Sequence, residues 1–200
     1  MSKIAVIVLA AGASTRMGNN IKQLLPWKGV TLLQHAIQEV ESSEADAIFL
    51  VLGANFHKIK ANILSERCQI IENENWKSGL GSSISLGIKI LQIGPEIYDA
   101  VLIALADQPL IDAEYYNYML NVFKKSNMGI VTTAYKTRKG VPAIFGEQYF
   151  DALSKLNEDF GAKHLLNNER VEIIYPKGKE VDIDTWEDYQ TLFKKIHNDN

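Results

Sequence analysis

Three stretches of this chain, residues 4–9 (IAVIVL), 46–52 (DAIFLVL) and 100–105 (AVLIAL), are almost unbroken apolar runs rich in aliphatic and β-branched side chains. Strands covered on both faces, as in a parallel sheet, read this way. Between the runs the period becomes helical. Leu32, Leu33, Ala36, Ile37 and Val40 recur at three- and four-residue spacing behind Thr31, a residue suited to cap a helix start. Ile84, Ile88 and Leu91 mark a second helical face, which Gly94 and Pro95 end. Gly53 closes the second run, and Asn55 is placed to open a short helix reaching about residue 65. Residues 69–72 predict a shorter strand, residues 113–125 a helix, and residues 130–134 a strand.

Beyond residue 134 the alternation weakens. Residues 137–145, TRKGVPAIF, predict a basic, proline-containing turn running into a short strand. Residues 148–156 and 162–167 predict short helices, and residues 171–174 and 180–183 short strands. A closing helix places Trp186, Tyr189, Phe193 and Ile196 on one face, with Thr185 and Asp188 at capping-box spacing. This order predicts a three-layer α/β/α sandwich around a mostly parallel, Rossmann-like sheet, with ligands bound outside the carboxyl ends of the strands. No repeat, low-complexity segment or linker interrupts the pattern, so residues 1–200 are expected to form a single domain.

With 200 residues, 46% of them hydrophobic, the chain can bury one substantial core. A net charge of −3 with scattered basic residues sets nucleic acid aside as a partner. No apolar stretch approaches the ~20 residues that cross a bilayer, and the first run is too short for a signal-peptide core, so a soluble, cytoplasmic chain without a membrane partner is expected. The lone Cys68 reads as a small buried hydrophobe. His35, His57, His164 and His197 show no metal-ligand spacing and no triad, and are expected at surface or capping positions.

The strand-end rule singles out two loops. After the first run, Leu9, Ala10, Ala11 and Gly12 shrink the side chains so that a phosphate could lie against backbone N–H groups. Arg16 and Lys22 add positive charge to that loop, and Gly18 and Pro26 set its course. The glycine could also serve the turn alone, and the loop matches neither G-x-x-x-x-G-K-[ST] nor G-x-G-x-x-G. After residue 105, Asp107 in ADQPLI either caps the turn before Pro109 or meets a cation. In VDIDTWED, Asp182 and Asp184 face the same way if the segment is extended, although Asp184 and Thr185 also stand where a helix cap belongs. Asp107 with one or both of these could hold Mg²⁺, which takes oxygen ligands from one or two carboxylates, phosphates and water. The inventory suits nucleotidyl transfer, in which cations position an NTP and neutralise the departing pyrophosphate; an acceptor phosphate is already ionised and needs no strong general base.

LAAGASTRMG followed by KQLLPW resembles the signature loop of nucleotidyltransferases with a glycosyltransferase-A-like fold. Within them it is most similar to the MobA/MocA-type NTP transferases and their molybdenum-cofactor cytidylyltransferase branch. NENWKSGLGSSISLG resembles the segment enclosing base and ribose, which implies nucleotide contacts from Gly81, Ser82 and Ser83; Ser82 or Ser83 could instead cap the next helix. ADQP resembles the metal-aspartate turn, KGVPAIF and DFGAKHLL the acceptor-side segments, and VDIDTWED the second metal site. The resemblance implies a nucleotide bound along Leu9, Ala10, Ala11 and Gly12, with Arg16, Lys22 and Asp107 as the catalytic group. Arg16 and Lys22 would hold the triphosphate, Asp107 the Mg²⁺, and Asp182 or Asp184 would complete its shell. It also implies CTP rather than GTP as donor, because the guanylyl branch tends to LAGG and a CDMP-like turn. The implied acceptor is phosphorylated, namely molybdopterin or its metal-loaded form, and a molybdoenzyme or chaperone would receive the product. Two departures stand out: three residues rather than two separate Gly18 from Lys22, and Trp186 stands where proline is common. A dinucleotide-dependent oxidoreductase would end its second strand on an acidic residue, where this chain has Leu52, Gly53 and Ala54. The alternatives are a guanylyl or other NTP transferase acting on another phosphorylated acceptor and a non-catalytic nucleotide-binding or cofactor-delivery protein, the latter separated from an enzyme by Mg²⁺-dependent pyrophosphate release.

Overall fold

The structure, a computed structural model, describes residues 2–135, 138–157 and 161–198. The chain begins with β1 (Ile4–Ala10), a hairpin of β2 (Pro26–Trp27) and β3 (Val30–Thr31), α1 (Leu32–Glu41), β4 (Ala47–Leu52), α2 (Phe56–Lys60) and β5 (Cys68–Glu72). It continues through α3 (Leu80–Ile93), β6 (Ala100–Leu105), α4 (Ala113–Lys125), β7 (Ile130–Ala134) and β8 (Lys139–Gly146). Last come α5 (Phe150–Ser154), α6 (Lys163–Asn168), β9 (Glu172–Ile174) and α7 (Trp186–Asn198).

Among the described residues seven strands form one sheet in the order β5-β4-β1-β6-β8-β7-β9. The pairs from β5 to β6 are parallel, β8 runs against both of its neighbours, and β9 is parallel to β7. This is the expected mostly parallel α/β sandwich. All seven residues of β1 are buried because alternate side chains serve opposite cores. Ile4, Val6 and Val8 pack with Ile37 of α1 and Met119 of α4, whereas Ala5, Ile7 and Leu9 pack with Ile84 and Ile88 of α3 and Leu153 of α5. A third, smaller cluster joins Met17, Leu25 and Trp27, which follow β1, to Ile183 and to Tyr189 and Leu192 of α7. Tyr189 Oη also donates to the Pro26 carbonyl at 2.8 Å. This cluster brings the end of the chain back to its beginning. No described helix is long and apolar enough to cross a membrane.

Several expectations need correction. The β2–β3 hairpin was not foreseen; Lys28 and Gly29 between its strands both take positive φ, as a tight two-residue hairpin turn requires. The helix from Asn55 ends at Lys60 rather than near residue 65, since Ile59 is its one fully buried side chain and no apolar stripe extends it. The helix expected over 148–156 is a 3-10 turn, Glu147–Tyr149, followed by α5. Residues 180–183 form no strand: the Ile183 N–H bonds the Asp107 carbonyl at 2.9 Å without a ladder to extend. The strand after the basic turn is longer than expected, and Pro142 falls at the register shift opposite Thr132 and Thr133, where its missing N–H breaks no ladder bond. His35 is buried, its Nε2 3.1 Å from the Pro109 carbonyl, and Cys68 is only half-buried, at the start of β5. Thr137 of the basic turn and Asp159 and Phe160 of DFGAKHLL lie outside the described residues.

Candidate active site

Small side chains at the end of β1 leave room for a cleft, and one buried polar residue shapes the loop that borders it. The loop passes through Ser14 at φ 57°, a 3-10 turn, Gly18 at φ 64° and a second 3-10 turn, Lys22–Leu24. Gln23, only 4% exposed, donates through Nε2 to the carbonyls of Ala10 and Gly12, each at 3.0 Å. Its Oε1 accepts from Ser14 Oγ at 3.1 Å, and Ser14 Oγ accepts from the Lys22 N–H at 3.2 Å. Both ends of the loop are therefore tied to one side chain, and Lys22 is held at its root.

The cleft, about 270 Å³, is floored by Leu9, Ala10, Ala11 and Gly12; Trp76, Gly79, Leu80 and Ser83 stand on one side and Lys22 and Asp107 on the other. Gly53 makes the floor possible: a Cβ there would lie 2.5 Å from Trp76 Cβ and 2.8 Å from the Ala11 carbonyl oxygen. Gly79, at φ 92°, is the N-cap of α3 and provides no side-chain acceptor, so neither Ser82 nor Ser83 caps this helix. Asn73, 3% exposed, donates to Ser82 Oγ at 3.0 Å and Ser83 Oγ at 2.9 Å. Ser82 Oγ in turn donates to the Gly79 carbonyl at 2.8 Å. Gly81 is buried within α3, so of the three residues expected in nucleotide contact Ser83 lines the cleft while Gly81 and Ser82 do not.

The charged residues come together across long sequence separations. Lys22 Nζ lies 2.6 Å from Asp107 Oδ2 and 3.9 Å from Asp184 Oδ1, with the Lys22 and Asp107 side chains 14% and 21% exposed. Arg16 is largely solvent-exposed off the cleft lining, with Nη1 3.5 Å from Asp184 Oδ2. Asp107 Oδ1 is buried with no hydrogen-bond partner among the described residues. The buried Ile183 between the two other acids enters the third cluster, which leaves Asp182 and Asp184 on the site side of the segment. Asp182 accepts from Gln108 Nε2 at 2.8 Å and lies 3.5 Å from Arg138 Nη2. Burial raises the Asp182 pKa, the Gln108 bond and Arg138 oppose that rise, and the charges of Asp107 and Asp184 add to it. Gln108 Nε2 also reaches Tyr135 Oη at 2.5 Å, and the Arg138 guanidinium rests 4.7 Å from the Tyr135 ring centroid. Burial likewise raises the pKa of the Tyr135 phenol.

Each capping alternative is now resolved by geometry. Asp107 does not cap the turn before Pro109, because among the described residues its Oδ2 meets Lys22 and its Oδ1 accepts no hydrogen bond; the helix that follows is capped by Asp112, which accepts from the Tyr115 N–H at 3.0 Å. Thr185 and Asp188 form the capping box of α7: Thr185 Oγ1 accepts from the Asp188 N–H at 3.1 Å, and Asp188 Oδ2 from the Thr185 N–H at 2.8 Å. Asp184 is thus left to Arg16 and Lys22. Among the described residues no three or more His, Cys, Asp or Glu side chains are grouped to hold a metal ion. Asp107 and Asp184 converge on Lys22, while Asp182 turns to Gln108 and Arg138.

Gln23, Asn73, Trp76, Gln108, Tyr135 and Arg138 were not foreseen as site residues. Gln23 and Asn73 bond to residues nearby in the chain, whereas the partners of Gln108 and Asp182 are brought together by the fold.

A family described as MobA-like NTP transferase domain matches residues 6–173, a span that ends before Asp182 and Asp184. Nicotine blue oxidoreductase of Paenarthrobacter nicotinovorans is 29% identical over 171 residues, covering 82% of this chain and 81% of that protein. The crystal structure of Rv0371c from Mycobacterium tuberculosis H37Rv superposes with a TM-score of 0.85 at 26% identity, over 96% of this chain and 98% of that one. A structure of Rv0371c in complex with manganese, also from Mycobacterium tuberculosis H37Rv, gives 0.79 at 24% identity, over 96% and 99%.

Proposed function

The chain belongs to the MobA-like NTP transferase domain family, and on that premise we propose that it is a single-domain nucleotidyltransferase whose donor is CTP. CMP would pass to a phosphorylated acceptor, molybdopterin or its metal-loaded form, with release of pyrophosphate. The observation that carries this reading is the meeting of Lys22, Asp107 and Asp184 beside a cleft floored by the small residues after β1. Lys22, and Arg16 from the outer edge, would neutralise the triphosphate, and Ser83 with the start of α3 would border the base and ribose.

The residues fit a divalent cation. Asp107 Oδ1 is a buried acceptor without a partner among the described residues, and Mg²⁺ is satisfied by one or two carboxylates together with phosphates and water. Asp107 and Asp184 would hold it, Asp184 being favoured over Asp182 because it shares Lys22 with Asp107. When bound, the cation would offset negative charge on the phosphates as pyrophosphate leaves. The manganese of the Rv0371c complex supports a divalent ion in proteins of this fold. The chain's own groups orient the donor; the acceptor phosphate supplies an ionised nucleophile. The redox name of the Paenarthrobacter relative belongs to that protein, and the loop here lacks G-x-G-x-x-G. The proposed setting is the cytoplasm, with a molybdoenzyme or chaperone receiving the product.

The test is pyrophosphate release from each of the four NTPs, with and without Mg²⁺, against molybdopterin and a panel of phosphorylated acceptors. CTP with molybdopterin is expected to dominate. GTP at an equal or higher rate would remove the cytidylyl assignment, and no Mg²⁺-dependent release from any pair would leave a binding module.

A further inference from the structure

Lys22 has two claims on it: the triphosphate that its position suits, and the two carboxylates it already touches. We infer that Lys22 is an exchangeable counter-ion, which in the nucleotide-free protein occupies the acids that would hold the divalent cation and leaves them when a triphosphate arrives. The inference rests on the reading of Asp107 and Asp184 as that cation-holding pair.

Lys22 Nζ makes a 2.6 Å charge-assisted contact with Asp107 and stands 3.9 Å from Asp184, so one ammonium serves both acids. Its side chain is 14% exposed, so little water screens it from a second cation brought to the same carboxylates. Two positive groups therefore compete for one pair of acids. The lysine backbone is fixed by its N–H bond to Ser14 Oγ and by the neighbouring Gln23, whereas its four-carbon stem is free to re-aim the charge. A triphosphate supplies several anionic oxygens as new acceptors for the ammonium, and its departure frees Asp107 and leaves Asp184, among the described residues, with only the exposed Arg16, 3.5 Å away. Cation and nucleotide then strengthen each other's binding, and by linkage the effect is reciprocal.

The decisive measurement is Mn²⁺ affinity in nucleotide-free protein, read from the paramagnetic resonance signal of the free ion. Lys22→Met keeps the length of the side chain and removes its charge; it is expected to bind Mn²⁺ about tenfold more tightly than wild type, as is Lys22→Gln. Lys22→Arg, which keeps the charge, should stay near wild type. Two neutral variants that remain folded by circular dichroism yet bind Mn²⁺ no more tightly would overturn the inference. So would a gain that survives in Lys22→Met combined with Asp107→Asn, because it would then arise away from these acids. Failure of CTP or molybdopterin in the pyrophosphate assay leaves this result untouched, so the two readings fail separately.

Discussion

On one side of the cleft Gln23 ties the carbonyls of Ala10 and Gly12 and the hydroxyl of Ser14, all within 13 residues of itself. A second support stands behind Lys22 and Asp107, where Asp182 and Asp184 flank the buried Ile183, whose N–H meets the Asp107 carbonyl from 76 positions away. The first wall is local and built from backbone. The second is remote and depends on α7 packing against Met17, Leu25 and Trp27. Affinity for the nucleotide and completion of the acid set thus rest on different supports, and they are expected to be separable by substitution.

Asp107 belongs to both walls, so its loss has the largest expected effect. Asp107→Asn should lower turnover about 10²–10³-fold, the range for removing one fixed electrostatic group from an active site. The thermal midpoint should move little, because Ile183 bonds the main-chain carbonyl that the substitution keeps. Steady-state pyrophosphate release alongside calorimetry checks both halves, and full activity in Asp107→Asn would remove the acid from the mechanism.

Next comes Ile183→Ala, expected to cost about 2–4 kcal/mol in urea unfolding as a buried large-to-small change. It should lower kcat while CTP affinity stays near wild type. Gln23→Ala should cost about 2 kcal/mol through the lost bonds to Ala10 and Gly12 and should weaken CTP binding first. If calorimetric titration found these two signatures exchanged, the walls would not be independent. The smallest effect belongs to Thr185→Ala, about 1 kcal/mol from the lost cap of α7, read as a shift in urea midpoint.

The same division governs what could be read before folding. β1, β4 and β6 announce themselves because both faces of each are covered, which demands continuous apolar composition. Residues 180–183 alternate like a strand for another reason: Ile183 faces the third cluster and the acids face the site, with no neighbouring strand to pair. Arg16, Lys22, Asp107 and Asp184 could be gathered from strand ends and acid spacing, and the structure does bring them within one ion-paired group. Gln108 could not, since its partners Tyr135, Val141 and Asp182 lie far along the chain. His35 was likewise misread as superficial because the Pro109 carbonyl that receives it is 74 positions away.

The return of residues 182–184 to the end of β6 also sets a timetable for a chain growing on the ribosome. By residue 105 the four adjacent strands β5, β4, β1 and β6, each parallel to its neighbours in that block, and the residues of the Gln23 tie have been synthesised. Asp184 follows Asp107 by 77 positions, roughly 4–15 s at ordinary rates of elongation. For that interval Lys22 and Asp107 have both been synthesised while Asp184 does not yet exist. The floor of the cleft can be laid down early, and the acid set is completed only once the residues after β9 have been made.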